Sequence, residues 1–370
     1  MRLALRHLPT AALLAGVLSL AGCGLVPSRE PSPSPQEVRA ELLRLLPGTL
    51  ADRAGWAADI EAAFTALDLE PSTENLCSVL AVTEQESTFQ ATPSVPGLAK
   101  IARAEIDRRA ARLYLPGFVV DAALRLPSPD GQSYARRLAG VRTEQQLSEL
   151  FDDFIGQVPL GRQLFGDFNP VRTGGPMQVS IHFAETRRRD YPYAVDGSIR
   201  DEVFTRRGGM FFGIAHLLDY PAHYDRHLYR YADFNAGWYA SRNAAFQAAL
   251  GRATGIDLVL DGDLILHGSS AAGATERAAR TLGPRLGLDD RQIRRALERG
   301  DRLEFEDTDL YRGVFDLAEH AAGKPLPRAR VPNIRLESPK ITRELTTAWF
   351  ANRVEARQQR CLAKAGAAAR

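Results

Sequence analysis

The chain carries no surplus of either charge: 47 lysines and arginines stand against 45 aspartates and glutamates, for a net charge of +2. That balance leaves no basic footprint for nucleic acid. A glycine-rich phosphate loop followed by lysine is missing, and so is the His-Glu-x-x-His pattern of zinc hydrolases. His223 and His227 stand four apart on one helix, but with His182 and His216 they make no convincing ligand set, and packing or surface roles account for them. Glu304, Glu306, Asp307 and Asp309 read as helix capping and solvation rather than a cation site. No metal and no cofactor is therefore expected. Cysteine is scarce, with three residues in all. The apolar run from Ala11 to Leu20 is too short to span a bilayer.

That short run follows Arg2, Arg6 and His7 and ends in Leu20-Ala21-Gly22-Cys23, the pattern of a signal peptide over 1–22. The last four residues resemble a bacterial lipobox, which implies cleavage before Cys23 and lipid attachment to it. Gly24 in place of an aspartate implies an outer-membrane lipoprotein facing the periplasm. Proline and serine dominate Pro27 to Pro35, so 23–36 reads as a tether that buries no core. In an oxidising compartment the two remaining cysteines, Cys77 and Cys361, form either a disulfide or a pair of buried free thiols. A bond would staple the last helix to the one containing Cys77.

Helical periodicity dominates the rest. Val38, Leu42 and Leu45 share a face, as do Trp56, Ile60, Phe64 and Leu67. Helices are predicted near 98–114, 117–126 and 142–156, within an insertion of about 98–165, and again near 274–284, 290–299 and 308–321. Ser338-Pro339 reads as the cap and first turn of a last helix. Arginines and tyrosines mix over Glu185 to Tyr193, more simply a solvated turn than the lining of a sugar groove. One strand pair is predicted, a hairpin in which Ile256, Leu258 and Leu260 lead through Asp261-Gly262 to Leu264 and Leu266. The expected fold is mainly α, with a principal domain over 37–255 and a C-terminal extension over 256–370.

Chemistry is concentrated at Glu86. At about 100° per residue, Leu76, Val79, Leu80 and Thr83 form one face of a helix, and Glu86 lands between Val79 and Val82. A carboxyl held against valines is desolvated, which disfavours the anion and suits a general acid. The alternative is a half-buried glutamate bonded to a neighbour.

Three segments, in order, are Gln85-Glu86-Ser87-Thr88-Phe89, Gly175-Pro176-Met177-Gln178-Val179 and Tyr231-Ala232-Asp233-Phe234-Asn235-Ala236-Gly237. Together they resemble the lytic transglycosylases of the goose-lysozyme-like superfamily (SLT domain), over roughly 50–95 and 172–250. The resemblance implies a lysozyme-like α (α+β) fold and non-hydrolytic cleavage between N-acetylmuramic acid and N-acetylglucosamine in peptidoglycan. Glu86 is implied as general acid and base, with Ser87, Met177, Gln178, Tyr231, Phe234 and Asn235 as its supporting and glycan-binding residues. Pro176 stands where the family has leucine, and Phe234 where it has tyrosine; Tyr231, one turn earlier, could supply that hydroxyl. About eighty residues separate Phe89 from the Gly-x-Met-Gln loop, where the family has a short turn. The whole chain is also similar to an uncharacterised family of bacterial outer-membrane lipoproteins. Two other functions stay open: a hydrolytic muramidase, and a peptidoglycan-binding or scaffold lipoprotein without turnover.

Cys23→Ala should release the protein from membranes and leave an unprocessed mass. Unchanged membrane fractionation of both forms, with identical unprocessed masses, would contradict lipidation.

Overall fold

A computed structural model describes residues 33–336 and 344–368. The expected signal peptide, the lipid site at Cys23, most of the tether and the Ser338-Pro339 cap lie outside the described residues.

The tether ends sooner than its composition suggests. Ser34 caps helix α1 (Pro35–Leu45) in a reciprocal box with Glu37, and Pro35 occupies the first helical position, where its missing N–H costs nothing. There follow α2 (Arg53–Ala66) and α3 (Thr73–Ser87), then the insertion: α4 (Leu98–Arg112), α5 (Gly117–Leu124), α6 (Tyr134–Gly140), α7 (Glu144–Gly156) and α8 (Gly161–Phe165). A short antiparallel pair, β1 (Thr173–Gly174) and β2 (Val179–Ser180), leads into α9 (Ile181–Thr186), α10 (Ile199–Val203), α11 (Arg206–Leu218) and α12 (His227–Ala236). Then come α13 (Ala240–Thr254), α14 (Ala274–Thr281), α15 (Gly283–Leu286), α16 (Asp290–Leu297) and α17 (Asp309–Ala322). A second pair, β3 (Arg335–Leu336) and β4 (Leu345–Thr346), precedes α18 (Thr347–Ala368). The fold is mainly α, and no described helix is long and apolar enough to cross a membrane.

The apolar side chains form two cores. The first gathers residues of α1 to α7 and α9 to α12 and takes back Phe350, Ala351 and Val354 from α18. The second is built from α13 to α17, where the Phe246 ring lies 5.0 Å from Phe305 and Tyr311 lies 4.8 Å from Phe315. Each buried ring contributes about 1.5–3 kcal/mol. Helix α13 turns Phe246 and Leu250 into the second core.

Helix α18 is clamped onto α3. Cys77 and Cys361 are disulfide-bonded with their Cα atoms 5.6 Å apart. Gln358 Nε2 donates to Ser78 Oγ at 3.0 Å, and Arg357 Nε lies 3.3 Å from a Glu84 carboxylate oxygen. Closing so long a loop stabilises the fold by about a few kcal/mol in chain-entropy terms.

The hairpin expected between Ile256 and Leu266 does not form. The segment instead lies along α13, whose buried amides take the place of a partner strand. Gly262 N donates to Gln247 Oε1 at 2.8 Å, and Asn243 Nδ2 donates to Gly262 O at 3.2 Å. Gln247 Nε2 also reaches Asp263 O at 3.0 Å. Backbone groups satisfied by side chains have no need of a ladder.

Candidate functional site

Helix α11 is the wall on which the three motif segments meet. Thr205 caps it, accepting from Gly208 N at 3.0 Å, and three buried glycines let other backbone come close. A Cβ at Gly209 would lie 2.3 Å from Pro176 Cδ, and one at Gly213 2.5 Å from Met177 Cβ. The Pro176-Met177 pair is therefore seated directly on the helix. Between the strand partners Gly174 and Val179 the chain turns through Gly175 (φ 74°) and Gln178 (φ 52°), both left-handed. Gln178 N and Nε2 both donate to Gly175 O, at 3.1 and 3.2 Å. Met177 is wholly buried. Its side chain packs in the core against Gly213.

The helix bearing Glu86 rests on the same wall, with Thr83 Oγ1 3.7 Å from Met210 Sδ. Glu86 is half-buried in the last turn of α3, and Thr88 (φ 53°) and Phe89 (φ 59°) turn left-handed immediately after it. Val79 and Val82 are fully buried. Ser87 is buried and committed to the backbone: its hydroxyl donates to Thr83 O at 3.1 Å and accepts from Gln90 N at 3.2 Å. Ser87 therefore holds the helix end that presents Glu86 in place.

Helix α12 runs alongside α3 in the same direction. His227 Nε2 lies 3.0 Å from Asn75 Oδ1, and the Tyr231 hydroxyl donates to Ser78 Oγ at 2.9 Å. Asn235 is exposed, and its Oδ1 accepts from the Thr347 hydroxyl at 3.0 Å. Tyr231, however, is buried, and its hydroxyl bonds eight residues, about 12 Å, away from Glu86 along α3. It cannot replace the hydroxyl missing at Phe234. The Phe234 ring lies 5.0 Å from His216, and its carbonyl 3.3 Å from His216 Nε2, which ties α12 to α11.

Sequence reasoning missed the groups around that contact. Phe183 and Trp238 join His216 and Phe234 in a half-buried aromatic cluster, with Phe183 4.7 Å from His216 and 5.4 Å from Trp238. Burial pulls the His216 pKa down to about 4, so the ring is neutral at pH 7. Its Nδ1 and the buried Gln85 Oε1 find no hydrogen-bond partner among the described residues. Trp238 directly follows Asn235-Ala236-Gly237, an adjacency that could have marked the cluster.

Asp233 was missed as well. It is fully buried and accepts from Tyr224 Oη (2.6 Å), Tyr220 Oη (3.1 Å), Ser241 N (2.7 Å) and Tyr239 N (3.1 Å). Burial pushes its pKa up while the donors oppose that push. Together they lock the end of α12 and the start of α13. The two histidines four apart face different elements: His223 Nδ1 meets Glu306 Oε2 at 2.9 Å, whereas His227 turns to Asn75.

Residues 49–364 match the family described as protein of unknown function, DUF1615. The uncharacterized protein YaiW of Escherichia coli (strain K12) is 55% identical over 354 residues, covering 94% of this chain and 96% of that protein. No solved structure matches the chain.

Gly213→Ala should destabilise the protein by about 1–3 kcal/mol, the usual cost of overpacking a filled core, read from urea unfolding midpoints. A midpoint within error of the unmutated protein would mean that Met177 is not seated on α11.

Proposed function

We propose that this chain, which belongs to the DUF1615 family, is a lytic transglycosylase that cleaves the peptidoglycan bond between N-acetylmuramic acid and N-acetylglucosamine. The observation that carries this reading is the convergence on α11 of the segments bearing Glu86, Gln178 and Asn235, through Met210, through Gly209 and Gly213, and through His216. In this reading the protein is held to the outer membrane by lipid at Cys23 and faces the periplasm, where its substrate lies.

Glu86 would first donate its proton to the glycosidic oxygen, so that the bond from muramic C1 breaks with a neutral leaving group. The resulting carboxylate then removes the proton of the 6-hydroxyl, whose oxygen closes onto C1. One carboxyl suffices because the nucleophile belongs to the substrate, and an intramolecular nucleophile has a large effective concentration. A hydrolytic muramidase would need a second carboxylate to activate or replace water. Gln178, presented by a tight turn, and the exposed Asn235 would orient the glycan.

A non-catalytic scaffold is the competing reading, and one observation favours it. Neither Tyr231, engaged with Ser78, nor Phe234, which has no hydroxyl, can assist the acid as the family's tyrosine does.

Glu86→Gln keeps the shape of the side chain but cannot donate a proton, so cleavage of purified sacculi should fall by roughly two to four orders of magnitude while sedimentation with sacculi persists. Full activity in the variant would remove Glu86 from the mechanism.

A further inference from the structure

Of the 15 exposed large hydrophobic side chains among the described residues, 11 lie between 113 and 168, ten of them inside the insertion. The most prominent group is the α4–α5 turn, where Leu113 is 71%, Tyr114 94% and Phe118 74% exposed. This tip is built, not frayed. Leu115 N donates to Ala110 O at 2.9 Å, closing a helix C-cap motif in which the left-handed position, usually glycine, is held by Tyr114 at φ 56°. A bulky residue in that conformation is costly, and Tyr114 recovers nothing from packing against its own protein.

Positive charge prevails around the tip. Of the four arginines from Arg108 to Arg125, Arg108 and Arg109 pair with Glu105, whereas the exposed Arg112 and Arg125 have no ion pair among the described residues. Behind the tip lies an almost wholly apolar cavity of about 390 Å³, lined by Leu113, Leu115 and Val119 on one side and Leu147, Phe151 and Phe154 on the other. Arg109 Nη1 donates to Phe168 O at 2.9 Å. That bond ties in the second apolar stretch, where Leu160, Leu164 and Phe168 are also exposed.

We infer that the α4–α5 tip is a membrane-seating element that enters the interfacial layer of an anionic phospholipid leaflet. A protein partner would be met by a flatter, partly covered face, whereas a projecting turn of leucine and aromatic side chains with arginines behind it suits the boundary between headgroups and acyl chains. The arginines supply the attraction to anionic headgroups, and the cavity beneath can take an acyl chain. This contact is separate from lipidation at Cys23 and does not depend on catalysis.

The test uses the chain from Gly24 onward, which keeps every described residue and has no acyl group. It should float with vesicles of phosphatidylglycerol and phosphatidylcholine and bind phosphatidylcholine alone weakly. Tyr114→Asp with Phe118→Asp should lower the bound fraction by roughly tenfold or more. Arg112→Glu with Arg125→Glu should lower it in a salt-dependent manner. All four positions are exposed, and circular dichroism should be unchanged. In a separate sample, Phe118→Trp fluorescence should be quenched by bromine-labelled acyl chains. Failure of the unmutated chain to float, unaltered binding by the aspartate variant, absence of quenching in vesicle-bound protein, or a dimer lost in the aspartate variant without any vesicle binding would each overturn the inference.

Discussion

Close approach to α11 is the constraint on which the candidate site depends. Gly209 and Gly213 leave no room for a Cβ, so the Pro176-Met177 turn rests on the helix itself. Met210, between them in sequence, meets Thr83 of α3, and His216, one turn beyond Gly213, meets the Phe234 carbonyl of α12. Residues 209, 210, 213 and 216 thus serve three different segments from a single helix. An interior at this density transmits small shifts. A change of one methyl group on α11 would move the turn that presents Gln178 relative to the helix end that presents Glu86.

A second constraint holds the two cores together. The carboxylate of Asp233 gathers two tyrosine hydroxyls and two backbone N–H groups at the junction of α12 and α13. Just beyond it Arg242, fully buried, donates to Arg302 O and Gly300 O, both at 2.7 Å, and lies over the Tyr239 ring at 4.2 Å. Charges taken this far from water persist only when their hydrogen bonds are met. Asn235, two residues after Asp233, inherits its position from this network. The disulfide and Gln358 fix α18 against α3, so the site is framed by contacts between residues far apart in sequence.

That separation decides what was legible in the sequence. Helical stripes are local, and α3 follows the spacing of Leu76, Val79, Leu80 and Thr83; α4, α5 and α7 of the insertion and the helices after 274 lie close to their predicted bounds, whereas the short α6 and α8 were not predicted. The direction a motif residue faces is not local. Ser87 and Met177 belong to the motif pattern, yet one is turned to its own backbone and the other to Gly213. Tyr231 points along α3 to Ser78, a partner that no spacing within α12 reveals. The alternation between Ile256 and Leu266 looked like strands because nothing in that stretch announces that Asn243 and Gln247 will bind its backbone. Asp233 was overlooked because its tyrosine partners lie in the loop before α12, and the loop's path had to be known first.

The chemistry assigned to Glu86 leads to one kind of product. When the muramic 6-hydroxyl is the nucleophile, no water is consumed and the fragment carries an internal ether. The direct measurement is mass spectrometry of the soluble fragments released from purified sacculi by the unmutated protein. The account predicts fragments ending in 1,6-anhydro-N-acetylmuramic acid. Fragments heavier by one water, with reducing ends, would contradict it.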